Sequence, residues 1–259
     1  MAIRCLQRRA KLALSLLACV LPFPSLAYSA GWGDLTAQFV LDGNIPPVST
    51  IDNNKEALCA KSIESEELVV NKDNKGIANI FVFIPSTKKP AVHDSLKASA
   101  VKDVVLDQEK CRFLPHAFVL RTDQTLFIKS NDEFNHNTRT SPLKDANMPV
   151  NVIIQPKDRK GLEVKYRAAE NLPSQIKCDL HPWMSAHALI IDHPYGAISD
   201  KDGKVKFEKL PAGEVEFRVW HEFNSGFYIE RAWKVTVKPG SNDAGVIKVS
   251  ADKFKKDAQ

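Results

Sequence analysis

Apolar residues in this chain recur at every second position, in one short segment after another. Leu35, Ala37, Phe39 and Leu41 fall on one face of an extended segment. Val205 and Phe207 alternate with lysines, Val215, Phe217 and Val219 with Glu and Arg, and Trp233, Val235 and Val237 repeat the pattern. A period of two is that of a pleated strand with one buried face. Ile80–Ile84 is instead a short continuous apolar run, as expected of a buried sandwich strand, and Leu126–Ile128, Val152–Ile154 and Ala188–Ile191 are further apolar segments. Turn-forming pairs separate the runs: Asp42-Gly43, Asp202-Gly203, Pro239-Gly240, with Asn74-Lys75-Gly76 and Pro211-Ala212-Gly213. Many short strands punctuated in this way predict an all-β sandwich architecture. Hydrophobic residues make up 44% of the 259, enough to supply its core.

Only residues 92–102 leave room for a short helix. Residues 85–102, polar and lysine-rich, read as a loop, and 138–151 as a second irregular stretch. Residues 252–259 read as a polar, frayed tail.

Residues 1–30 read as a secretory signal peptide. Arg4, Arg8, Arg9 and Lys11 precede the apolar run Leu12–Val20, and small residues follow at Ser25, Ala27, Ser29 and Ala30. The apolar run is too short to span a bilayer. An alternative is a lipid anchor at Cys19, which ends Leu16-Leu17-Ala18-Cys19. The chain carries a net charge of +5, of which these residues contribute four positive charges and no acid. The remainder is nearly neutral, so there is no basic excess to argue for a nucleic-acid partner. The implied location is periplasmic or extracellular, with no transmembrane segment.

Three cysteines then remain, Cys59, Cys111 and Cys178. In an oxidising compartment two are expected to pair. Cys178 belongs to the heptapeptide Cys178-Asp-Leu-His181-Pro-Trp-Met184. That leaves Cys59 and Cys111 for a disulfide, the alternative being free buried thiols. The heptapeptide places a thiolate, an imidazole and a thioether within seven positions. Joined by one more imidazole, these are the donors of a mononuclear copper centre with two His and one Cys in a plane and a weak axial Met. A lone Cys beside His fits a structural zinc site poorly, since such sites use paired cysteines. The fourth donor is expected from His136, which follows the strand Leu126–Ile128 and a polar turn.

Here residues 103–192 resemble the cupredoxins. Asn131-Asp132, then His136-Asn137, then Cys-x-x-His-x-x-Met some forty residues later is most similar to the short-loop amicyanin type, which shares Pro182 and an aromatic at Trp183. Plastocyanins and azurins use longer spacings. The resemblance implies a Greek-key sandwich holding one type 1-like copper ion, Cu(I)/Cu(II), through His136, Cys178, His181 and Met184. It also implies that the Asn137 amide hydrogen-bonds the Cys178 sulfur while its side chain ties two loops. Pro182 would stiffen the loop, and Trp183 and Leu180 would shield the metal.

Residues 197–220, with Asp202-Gly203 and Leu210-Pro-Ala-Gly213 turns, resemble half of a carboxypeptidase-regulatory-like, transthyretin-like β-sandwich. The expected organisation is a copper region at 31–192 with an N-terminal β extension and a regulatory-like segment at 193–251 that packs with 33–85. In the alternative, the copper region sits between two halves of the second sandwich. The layout also resembles exported proteins of the methylamine-utilisation type. The function implied is electron transfer between redox partner proteins, docking over an exposed edge of His181. The alternatives are copper delivery without redox turnover, or a surface β-sandwich binding module. No enzyme is expected and no catalytic residue is assigned: the His-x-His pairs of multicopper oxidases are absent. Of the other histidines, His116 reads as an alternative ligand or a supporting group, His187 as pointing along the next strand, and His93 as solvated. His193 and His221 read as a second metal or proton-linked site, or as plain hydrogen-bonding partners between regions.

Overall fold

The computed structural model describes residues 31–52, 59–223 and 228–254. The expected signal segment and the Cys19 anchor lie outside these residues. No described helix is long and apolar enough to cross a membrane. The all-β expectation holds: among the described residues the helical elements are three 3-10 turns of three to four residues.

Four strands come first: β1 (Trp32–Asp42), β2 (Thr50–Asp52), β3 (Ser62–Glu64) and β4 (Phe81–Phe83). Nine follow: β5 (Asp103–Glu109), β6 (Arg112–Leu114), β7 (Ala117–Arg121), β8 (Thr125–Ile128), β9 (His136–Ser141), β10 (Asn151–Ile154), β11 (Leu162–Val164), β12 (Ser174–Lys177) and β13 (Ser185–Ile191). The last five are β14 (Gly196–Ile198), β15 (Lys204–Pro211), β16 (Gly213–Trp220), β17 (Tyr228–Val237) and β18 (Gly240–Ser250).

The strands on either side of residues 103–191 pair with one another. β1 runs antiparallel to β15 and parallel to β18, and a second sheet has the order β14-β4-β16-β17. Their inner faces enclose Leu35, Phe39, Val82, Phe207 and Phe217. The inward residues of β1 are the alternate apolar ones read from the sequence, so its burial follows directly from its period. Gly203 closes the turn before β15 at φ +77°, where a Cβ would lie 2.1 Å from the Phe39 carbonyl oxygen. Only glycine meets both demands.

Residues 103–191 form two further sheets, β10-β9-β12-β13-β7 and β11-β8-β5-β6. Leu106, Phe113, Leu126, Ile128, Ile176 and Ile190 fill the space between them, beside the Cys59–Cys111 disulfide. A third, smaller core joins the two groups of sheets through Phe81, Phe83, Leu189, Ile191 and Trp220. This explains the apolar runs of β4 and β13; that of β10 is different, with Ile153 49% exposed. In β13, Ala188 and Ile190 face one core while Leu189 and Ile191 face the joint. In β4, Val82 and the two phenylalanines divide likewise.

Three expectations need correction. Residues 138–141 are not irregular: they belong to β9, whose buried positions are filled by Thr138 and Thr140, so no apolar alternation marks it. The helix foreseen in 92–102 is only the 3-10 turn Asp94–Leu96. Its N-cap is His93, half-buried against Trp32 rather than solvated. At the start of the expected tail, Phe254 is buried against His221 and Phe223.

Candidate metal centre

Three strand ends build the site. His136 opens β9, Cys178 follows β12 directly, and Met184 directly precedes β13. β12 pairs with both β9 and β13, so the heptapeptide is a tight connection at the pole where β9 begins. The connection is closed by its own backbone: the Cys178 N–H donates to the Met184 carbonyl at 3.1 Å and the Met184 N–H to the His181 carbonyl at 2.8 Å.

Within it the donors converge. Nδ1 of His136 lies 3.0 Å from Nδ1 of His181, and Cys178 Sγ lies 3.6 Å from the same His181 nitrogen. Ligands bound to one metal at about 2.0 Å for nitrogen and about 2.3 Å for sulfur sit at such mutual separations. His136, Cys178 and His181 are 0%, 1% and 3% exposed. Met184 is equally buried and shares a core cluster with Cys178.

Neighbouring groups fix the orientation of these donors. His136 Nε2 faces the Asp132 carboxylate at 2.7 Å, and that carboxylate also accepts from the N–H groups of Lys110 and Cys111 at 2.7 and 3.0 Å. A carboxylate on the far nitrogen settles the tautomer: Nε2 carries the proton, leaving the Nδ1 lone pair aimed at His181. The Asn137 N–H points at Cys178 Sγ at 3.3 Å. Its side chain accepts from the Asp179 N–H at 3.0 Å and donates to Asn151 at 2.7 Å, joining the two loops. Phe134 and Trp183 pack against the His181 ring, and Trp183 Nε1 donates to the Cys111 carbonyl at 3.2 Å. Cys111 therefore touches the site twice through its backbone while its sulfur is held by Cys59.

Leu180 does not shield the centre as foreseen: it is 50% exposed, and Pro182 beside His181 is exposed too. Nor does His181 offer an open edge. The surface next to it belongs to its two loop neighbours.

The remaining histidines sort differently from expectation. His193 and His221 do not come together. His193 Nδ1 accepts from the Tyr195 N–H. His221 Nδ1 accepts from the Phe223 N–H while its Nε2 donates to the Ala78 carbonyl. Burial lowers the pKa of both, that of His221 to about 4, so both stay neutral at pH 7. His116 and His187 instead converge with Glu222. Sequence reasoning missed Asp132, although it lies four residues before His136, and missed Glu222, although it adjoins His221.

No protein-family model and no curated protein matches the chain. Among solved structures it is similar to a reduced Cu(I) form of an amicyanin variant at pH 4, with 14% identity over 42% of this chain and 97% of that one, at a TM-score of 0.30. It is also similar to amicyanin from Paracoccus versutus, with 14% identity over 42% of this chain and 96% of that one, at a TM-score of 0.28.

Proposed function

We propose that this chain is an exported, mononuclear type 1-like copper protein that carries electrons between redox partner proteins. The copper would be held by His136, Cys178 and His181, with Met184 as a fourth, weaker donor. The observation that carries the reading is the buried convergence of two imidazole nitrogens and one cysteine sulfur, with a thioether closing the same loop. The thioether separates copper from zinc: zinc is held by Cys, His, Asp and Glu, whereas two His and one Cys with a weak Met donor are the set of a copper electron-transfer centre. When bound, copper would supply a one-electron couple. The protein's part is to hold the donors still. Asp132 presents the His136 lone pair, the Asn137 amide lends hydrogen-bond support to the Cys178 sulfur, and Pro182 limits the loop. Phe134 and Trp183 help to keep water away.

We read residues 103–191 as the copper-holding sandwich and the strands before and after it as one supporting sandwich. The burial of all four donors favours retention of the metal over its delivery to another protein. Cu(II) loading followed by optical and EPR spectroscopy tests the reading. Intense visible thiolate-to-copper absorption with narrow copper hyperfine splitting is expected. A Cu(II)-loaded protein with intact, reduced Cys178 and no such absorption would sink it.

A further inference from the structure

A second group of donors lies where the two sandwiches meet. His116 precedes β7, His187 sits within β13, and Glu222 follows β16. The first two belong to the segment holding the candidate copper donors, the third to the other sandwich. One ligand atom from each lies within 4.8 Å of the others. The side chains are 7%, 7% and 10% exposed, so water does not serve them freely.

Their partners are incomplete. His116 Nε2 contacts Glu222 Oε1. His187 Nδ1 faces Glu222 Oε2 at 3.5 Å and makes no hydrogen bond, although it is buried. His116 Nδ1 makes no close one either, although the Ser185 carbonyl and Glu66 Oε2, the latter 3.8 Å away, both neighbour the ring. A buried nitrogen without a close partner is costly, so two of them in one cluster call for an explanation. Plain packing does not provide one. Trp220 stacks beside His187 and Glu66 is pinned by Arg112 at 3.0 Å, which holds the groups in place without satisfying them.

We propose that His116, His187 and Glu222 bind a divalent transition-metal ion, zinc by donor class, which clamps the two sandwiches together. Two imidazoles and one carboxylate form a recognised zinc donor set that leaves a fourth position for water or a further ligand. Tetrahedral donors at about 2.0 Å from zinc stand about 3.3 Å apart, close to the His187–Glu222 separation. Glu66 then backs His116 from its far nitrogen, as Asp132 backs His136. Protonation in the metal-free state agrees. Burial takes His187 down to about 3, so the ring is neutral and one of its nitrogens offers a lone pair. Burial pulls His116 down as well, but the Glu222 carboxylate outweighs it and raises the pKa; burial raises that of Glu222. The His116–Glu222 contact thus holds a proton that a cation displaces. This site is independent of the copper reading, because it shares no donor with it.

Zinc titration of the full chain carrying Cys178→Ser tests the site without a competing thiolate; wild-type protein saturated with Cu(I) is the second background. One zinc per chain is expected in each. Glu222→Gln and His187→Ala should each weaken binding by about 100-fold or more. Zinc should raise the thermal midpoint of the parent and not of Glu222→Gln. No zinc bound in either background, or equal affinity in the substituted proteins, overturns the proposal. If a substitution unfolds the chain, zinc K-edge spectroscopy of the unsubstituted cluster decides. A shell with two imidazoles and oxygen supports it, and a shell without imidazole overturns it.

Discussion

Two clusters of metal-type donors occur among the described residues, and they are assembled in opposite ways. In the first, three of four donors come from one seven-residue connection, and only His136 arrives from elsewhere. In the second, each donor comes from a different strand end or strand, and one crosses from the other sandwich. A local cluster stands once its own loop closes. A distributed cluster exists only while two bodies are docked. The first therefore suits a function that demands fixed geometry, and the second suits a clamp.

The sharpest break between the two should come from Cys178→Ala. Visible thiolate-to-copper absorption should vanish completely, while zinc uptake at the other cluster persists; loss of both would mean that the clusters are not independent. Asp132→Asn keeps the shape but weakens the hold on His136. Copper affinity should fall by about 10–100-fold by competition with a chelator. An unchanged affinity would remove Asp132 from the account of the site. Trp220→Ala empties part of the joint and should cost about 3 kcal/mol in denaturant unfolding. Its copper spectrum should stay intact, since no copper donor touches it.

The smallest effect should be an acid one. Burial depresses the pKa of His193, so the unfolded chain takes up that proton first as pH falls below about 6.5. The stability owed to a neutral His193 is present above that pH and declines below it. His193→Asn, which keeps an acceptor for the Tyr195 N–H, should flatten that part of the stability profile. An identical slope in parent and variant would show that other groups set it.

The same contrast explains what the sequence revealed. The first cluster was legible because its donors are neighbours in the chain and their types are rare in combination. Asp132 was not, because an aspartate in a polar turn looks like any other until its carboxylate is seen on His136. The alternation in β1 or β16 made those strands plain, whereas β9 hid behind buried threonines. The partner of β1 was beyond reach of any local pattern, since period and polarity say which face is buried but not what covers it. For the same reason His116, His187 and Glu222 could be noticed one by one but not joined: 35 residues separate the second from the third, and the joint between sheets brings them together.

The pairing of β1 carries a consequence for the order of events as the chain is made. Its antiparallel neighbour, β15, starts at Lys204, and its parallel neighbour runs from Gly240, opposite Gly33, to Ser250, opposite Asp42. The first strand therefore waits for the last. Residues 103–191 have their sheet partners among themselves and can close early, whereas the outer sandwich must stay open until the C-terminal strands emerge. A chain that ends between Ile191 and Lys204 should thus form its copper-donor loop while its first strand lacks both flanking strands and keeps only the short contact of Val40 with Gly76.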